Sequence, residues 1–315
     1  MENEIRIDPR TNSTVIIAPN RNKRPSDFLS TKPAKKEGDC VFDRGNEDKT
    51  PTELLRIGNP WNLRVIMNKY PELLPNAVIY EENKSIYKVM GAYGQNEIII
   101  DTYQHNVDFE DLEFESHKQW LNAIIERELK LYQMPRIKHV FVFKNQGEKA
   151  GASIQHAHTQ IMATYFIPDL IKEEFDNYNK DESLFEKMLT NETFLEENDS
   201  FVAIAPYASR FIGESLIFSK KKISSCIEMD EKMKDEFISI LRNVLKNTIS
   251  IFGKIDYNLV FHELKDSNFR FHVEIYPRLS TWAGVELGTK IYVNEFPPEE
   301  FSKYYKELKK NLKTI

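Results

Sequence analysis

GASIQHAHTQ, residues 151–160, places two of the chain's seven histidines, His156 and His158, two positions apart. In a β-strand, residues i and i+2 point to the same face, so both imidazoles and Gln160 would share one side of a sheet. Such a pair is a ligand pair, a catalytic pair or a chance neighbour. The residues around it set the context. His156 to Ala163 reads as a strand, and HVFVFKN, residues 139–145, reads as the strand before it. Upstream, residues 111–133 show helical spacing, with Trp120, Ile124, Ile125, Leu129 and Tyr132 on one stripe. Pro135 ends that helix.

Further upstream, NLRVIMNKYP (62–71) reads as a strand, and strands follow near 86–90 and 97–101. The first 60 residues hold one short apolar run, Thr14-Val15-Ile16-Ile17, amid irregular chain. After a charged, mostly helical stretch at 167–198, the pattern restarts. FVAIAPYASRFIGESLIF (201–218) resembles YKVMGAYGQNEIII (87–100) in order and chemistry. A helix follows, with Met233, Phe237, Leu241 and Val244 as its stripe, then the strands YNLVFHE (257–263) and FHVEIY (271–276). The span from Glu97 to His158 matches that from Glu214 to Glu274 to within one residue. The sequence therefore predicts an α+β fold made of two tandem half-domains, residues 1–165 and 166–315, each an antiparallel sheet with helices packed on it. In this comparison His272 and Glu274 stand where His156 and His158 stand. One copy then holds the working site and the other a remnant.

Composition narrows the function. A net charge of −6 gives no reason to expect nucleic acid, while a small anionic ligand remains open to local cationic clusters. Two cysteines, Cys40 and Cys226, make no disulfide framework. The charged start MENEIRIDPR is unlike a signal peptide, and no apolar run approaches the ~18 residues of a membrane span. A cytoplasmic protein is expected.

A neutral histidine held in one tautomer can attack phosphorus, and a second acceptor can then cleave the nucleotidyl-imidazole. Such transfer needs positioning and donors at the phosphoryl oxygens. Asn145, Gly147, Gly151 and Ser153 can present those donors. Gln160 can add an amide hydrogen bond without adding charge.

GASIQHAHTQ resembles the active-site segment of the galactose-1-phosphate uridylyltransferases, the transferase branch of the histidine-triad superfamily, which carry Gly-x-Ser followed by His-Pro-His-Gly-Gln. RIDPRTNSTVIIAPNRNKRP (6–25), RVIMNKYP (64–71) and FHVEIYPRL (271–279) resemble other segments of that family, in order. AGVELGTKIYVNEFPPEE (283–300) is more similar to the related nucleoside-diphosphosugar phosphorylases. The resemblance implies two histidine-triad-like halves and makes His158 the nucleophile, with Gln160 at the phosphoryl oxygens. It implies that Asn145, Gly151 and Ser153 hold phosphates and that Asn68 lies near the nucleoside. Arg21 and Arg24 match arginines that contact the nucleotide-sugar, often from a neighbouring subunit, so a homodimer is expected. Glu286 falls in the segment that meets the hexose.

The family often holds a structural zinc. The resemblance maps its ligands onto Cys40, Asp43, His105 and His156, with a carboxylate where the family has a second thiolate. That set is acceptable for tetrahedral zinc. A second metal site found in some members would use His272, Glu274 and His262, and without a full set no strong second site is expected. His117 reads as lying on the charged face of its helix, and Trp282 as a packing residue. Three departures bear on substrate: Ala157 stands where the family's motif has Pro, Thr159 adds bulk where the family commonly has Gly beside the phosphates, and Lys69 follows Asn68 where many members have an acid. The main reading is a nucleotidylyltransferase acting on a nucleoside-diphosphosugar and a sugar-1-phosphate. The alternatives are a phosphorylase of nucleoside-diphosphosugars or dinucleoside polyphosphates, and a nucleotide-binding protein without turnover.

Overall fold

The computed structural model of the chain describes residues 2–19 and 40–312. Two short strands, β1 (Glu4–Ile7) and β2 (Thr14–Ile17), open it. The chain forms two compact units. One comprises the chain from Cys40 to Lys144 together with Ile154–Pro168; the other comprises the described N-terminal residues, Asn145–Ser153 and the chain from Asp169 onward.

The first unit contains β3 (Glu53–Gly58), β4 (Trp61–Met67), a hairpin of β5 (Glu81–Lys84) and β6 (Tyr87–Met90), then β7 (Gly94–Ile100), α1 (Phe114–Leu131), β8 (His139–Gln146) and β9 (His158–Thr164). Its sheet runs β3-β4-β7-β9-β8, antiparallel at every step. The helix covers one face with Trp120, Leu121, Ile124 and Leu131, all buried, whereas Leu129 is 43 % exposed and leaves the stripe the sequence assigns it to. Two polar ties hold the helix on the sheet. Arg127 donates to both oxygens of buried Glu97, at 2.7 and 2.9 Å, and Trp120 Nε1 donates to Thr159 Oγ1 at 2.9 Å. His117 is fully buried on this helix, with its ring against Phe109 and Nδ1 by the Glu113 carbonyl. It does not lie on the charged face, because the turn that brings Phe109 across the helix covers it.

The second unit adds α2 (Asp169–Lys180), α3 (Leu184–Lys187), β10 (Phe194–Glu197), β11 (Phe201–Ile204), β12 (Ser215–Ser219), α4 (Glu231–Phe252), β13 (Tyr257–His262), β14 (His272–Pro277), α5 (Gly284–Thr289), β15 (Ile291–Asn294) and α6 (Pro298–Leu312). Its main sheet runs β10-β11-β12-β14-β13, again antiparallel. Strand for strand this is the order of the first unit, and α4 follows β12 in the chain as α1 follows β7. The duplicated α+β architecture is therefore as the sequence predicts. Met233, Phe237, Leu241 and Val244 are all buried on α4, as their spacing requires. Asp230 caps that helix by accepting from Met233 N at 2.8 Å.

Two features depart from the sequence reading. The division at 165/166 assigns the N-terminal strands to the first half. In the structure, β2 instead pairs in parallel with β15, and Arg6 of β1 binds Glu299 of α6 at 2.7 Å. Strand pairing between residues nearly a chain length apart leaves no local trace. The Glu97–Glu214 marker also dissolves. Glu97 anchors α1 through Arg127, whereas Glu214 accepts from the amides of Arg210 and Phe211 in a turn.

Phe237 meets Phe201, Phe261 and Phe271 with none of its surface exposed. Phe237→Ala is expected to destabilise the protein by about 3–5 kcal/mol. Urea denaturation measures this, and a loss below about 1 kcal/mol would mean that α4 is not packed as described.

Candidate active site

One apolar residue organises the turn Cys40-Val41-Phe42-Asp43. Phe42 is 3 % exposed and packs with Trp61, Ile66 and Ile100. Asp43 N donates to the Cys40 carbonyl at 3.1 Å, and Asn46 Nδ2 donates to the same carbonyl at 2.7 Å. With Phe42 anchored, Cys40 and Asp43 are turned toward His105 and His156, and the four ligand atoms lie within 4.8 Å of one another. His105 Nδ1 is 2.8 Å and His156 Nδ1 is 3.1 Å from Asp43 Oδ1, and Cys40 Sγ is 3.9 Å from His156 Nδ1. Nε2 of His156 lies 2.7 Å from the Thr102 carbonyl, which can only accept, so this nitrogen carries the proton and Nδ1 offers a lone pair to the cluster. Burial lowers the pKa of His156 and favours that neutral form. A lone pair facing a carboxylate oxygen is favourable when a cation lies between them. One thiolate, one carboxylate and two imidazoles thus fit zinc.

His158 starts β9, and His156 lies just before that strand. Nδ1 of His158 donates to the His156 carbonyl at 2.8 Å, which leaves Nε2 as the unprotonated nitrogen. Burial, with the charge of Lys144 second, lowers the pKa of His158 and keeps the ring neutral. The edge of Phe42 packs against this ring, with centroids 5.6 Å apart. Gln160 is half-buried and pairs with Ile98 and Phe143. Thr159, between them, faces α1 and receives the Trp120 bond. Its side chain points away from the face that His158 and Gln160 share, because neighbouring residues on a strand point to opposite faces.

The loop 147–153 belongs to the other unit. Asn258 Nδ2 donates to Asn145 Oδ1 and to the Ala150 carbonyl, each at 2.8 Å, and Asp256 accepts from Lys149 N at 2.8 Å. Asn145 Nδ2 lies on the side of Gly151, and Gly151 and Ser153 are exposed. Asn68 follows β4 and accepts from Tyr70 N at 3.0 Å. Glu286 accepts from Ala283 N at 2.8 Å and so closes the first turn of α5. Trp282 stacks on Phe211 at 4.8 Å, a packing role. Arg21 and Arg24 lie outside the described residues.

The second unit gathers a cluster the sequence left incomplete. Glu174 of α2 joins His262, His272 and Glu274, with ligand atoms within 4.8 Å. Its own segment carries no motif, so no signal in the sequence pointed to it. Glu274 is bonded by Arg10, Arg210 and Tyr276, and these two arginines outweigh burial and hold its pKa down to about 2. Nδ1 of His272 bonds the Arg270 carbonyl at 2.9 Å, two residues back, as His158 bonds His156. By that mark His272 is the counterpart of His158, and Glu274 that of Gln160. The sequence comparison placed them two positions off.

The family described as "Galactose-1-phosphate uridyl transferase, N-terminal domain" matches residues 1–168, and "Domain of unknown function (DUF4921)" matches residues 100–313. The chain belongs to the galactose-1-phosphate uridylyltransferase family and is an enzyme of the nucleotidyltransferase class. It is 29 % identical to an ADP-glucose phosphorylase of Arabidopsis thaliana over 97 % of this chain and 93 % of that one. It is 27 % identical to a galactose-1-phosphate uridylyltransferase of Thermotoga maritima over 96 % and 98 %. A crystal structure of an Arabidopsis thaliana ADP-glucose phosphorylase with bound ADP-glucose superposes with a TM-score of 0.83 at 26 % identity, covering 97 % of this chain and 99 % of that one.

Gly147 has φ 88°, and a Cβ there would lie 2.1 Å from Asp256 Oδ1. Gly151 also has φ 88°, but a Cβ there would meet nothing nearer than Asn145 Nδ2 at 3.9 Å. Gly147→Ala is therefore expected to lower the melting temperature more than Gly151→Ala does, since both carry backbone strain and only the first adds a clash. Equal shifts in thermal denaturation would contradict this account of the loop.

Proposed function

We propose that the chain transfers a nucleotidyl group from a nucleoside-diphosphosugar to a sugar-1-phosphate through a covalent intermediate on His158. The observation that carries this reading is the bond from His158 Nδ1 to the His156 carbonyl, which commits one nitrogen and leaves Nε2 unprotonated on a neutral ring. Nε2 attacks the α-phosphorus, a P–N bond forms, and the bridging P–O bond breaks to release sugar-1-phosphate. A phosphate oxygen of the acceptor sugar-1-phosphate then attacks the same phosphorus, and the P–N bond breaks. Gln160 donates to the phosphoryl oxygens as charge shifts onto them. Asn145, Gly151 and Ser153 hold the phosphates, Arg21 and Arg24 neutralise them, Asn68 meets the nucleoside and Glu286 the sugar. Cys40, Asp43, His105 and His156 would hold a structural zinc, which braces the segment entering β9 and takes no part in the transfer. The enzyme works as a homodimer in the cytoplasm; no helix among the described residues is long and apolar enough to cross a membrane.

A second reading uses inorganic phosphate as the acceptor. The 29 % identity to an ADP-glucose phosphorylase along 97 % of the chain favours it. A nucleotide-binding protein without turnover fits less well, since both His158 and Gln160 are in place.

Incubation with UDP-glucose or ADP-glucose labelled at the α-phosphate is expected to label the protein. The label should be acid-labile, base-stable and absent from His158→Ala. Failure of every nucleotide-sugar to label the wild type would sink the covalent mechanism. Discharge of the label by galactose-1-phosphate or by inorganic phosphate then separates the two readings. Elemental analysis is expected to find stoichiometric zinc in the wild type, little in Cys40→Ala, and full occupancy in Asp43→Cys. Unchanged zinc in Cys40→Ala would exclude that ligand.

A further inference from the structure

We propose that Lys144 and Asp101 are a positioning pair for the nucleophile, acting on the main chain of His158. The proposal rests on the nucleotidyl-His158 reading above. Asp101 N donates to the Ala157 carbonyl at 3.1 Å, on the β7 side of β9. Successive carbonyls along a strand point to opposite edges, so the His158 carbonyl points to the β8 edge. The β8–β9 ladder has already ended there, its last pair being Phe143 with Gln160. A buried carbonyl left without a donor costs about 1–3 kcal/mol.

Lys144 Nζ supplies the missing bond, at 2.9 Å from the His158 carbonyl. The same ammonium lies 2.6 Å from Asp101 Oδ2, and neither side chain has any exposed surface. Phe109 covers it, with the ring centroid 4.8 Å from Nζ. Asp101 thus holds the strand twice, through its amide at Ala157 and through Lys144 at His158. The two peptides that flank the His158 Cα are thus each held, one from either edge of the strand. A neutral donor would satisfy one carbonyl without the desolvation penalty that a buried ion pair carries. What the ion pair adds is rigidity at the residue whose Nε2 must meet phosphorus in line. The ring takes its orientation from the His156 carbonyl, and that bond is fixed only while the backbone on both sides of it is fixed. Misplacement of a reacting group by about 1 Å can slow transfer roughly a hundredfold.

The double variant Asp101→Asn/Lys144→Met removes both charges and so leaves neither buried and unpaired. Its single-turnover labelling is measured with whichever labelled nucleotide-sugar the wild type accepts, across donor concentrations, beside a circular-dichroism melt. Labelling at saturating donor is expected to be roughly ten- to a hundredfold slower, with half-saturation within about twofold of wild type. A folded double variant that labels at the wild-type rate, or that loses only donor affinity, overturns the proposal. If the double variant does not fold, Asp101→Asn decides: labelling slowed several-fold at unchanged donor affinity supports the pair, and wild-type labelling overturns it. A wild type that takes no label points instead to failure of the nucleotidyl-His158 reading.

Discussion

The carbonyl of His156 accepts the Nδ1 proton of His158 at 2.8 Å, and the chemistry of the site depends on that bond. It commits one ring nitrogen and frees the other. It also ties two different jobs to one residue. The imidazole of His156 faces Cys40, Asp43 and His105, while its main chain steers the neighbouring histidine. Whatever fixes His156 in the cluster therefore also bears on the orientation of the His158 ring. Phe42 contributes to both, since it anchors the Cys40–Asp43 turn in the core and packs its edge against both imidazoles.

Duplication gives the molecule a comparison with itself. The same strand order and the same Nδ1–carbonyl bond occur in both units, yet the surroundings differ. The first unit leaves Gln160, a neutral amide, half-buried beside its histidine. In the second, Glu274 holds that position, fully buried and paired with Arg10 and Arg210. Desolvation of so many charges is tolerable only because each has a partner. In the second unit that strand position is thus tied into its own half by ion pairs. Part of that pairing reaches the N-terminal segment through Arg10 and Asp8, which explains why those residues group with the second unit.

The sequence was most readable where one element carries the whole signal. The helical stripe of α4, the strand pairs around each histidine and the duplicated order all rest on local periodicity. The four-residue donor set, Cys40, Asp43, His105 and His156, came only through the family resemblance, and the fold brings those four together. Glu174 was missed, since a single acid on a charged helix looks like any solvated residue. His117 was misplaced for a related reason: polarity suggested solvent, while the fold set it in the interior against Phe109.

By itself the sequence determined that there are two copies of one α+β unit, that His158 and Gln160 share a face, and that the chain belongs with nucleotidyl-transferring enzymes. The first two follow from periodicity and spacing along the chain, and the last from the resemblance of short motifs, in which the residues that act together are neighbours along the chain. Only the tertiary structure decided which nitrogen of His158 is free, where Thr159 points, that β2 pairs with β15, and that Lys144 and Asp101 bond the backbone at Ala157 and His158. The last three depend on contacts between residues far apart in the chain, set by packing and by the register of strands that no stretch of sequence contains alone; the first is a bond within one segment, whose partner only the folded backbone fixes.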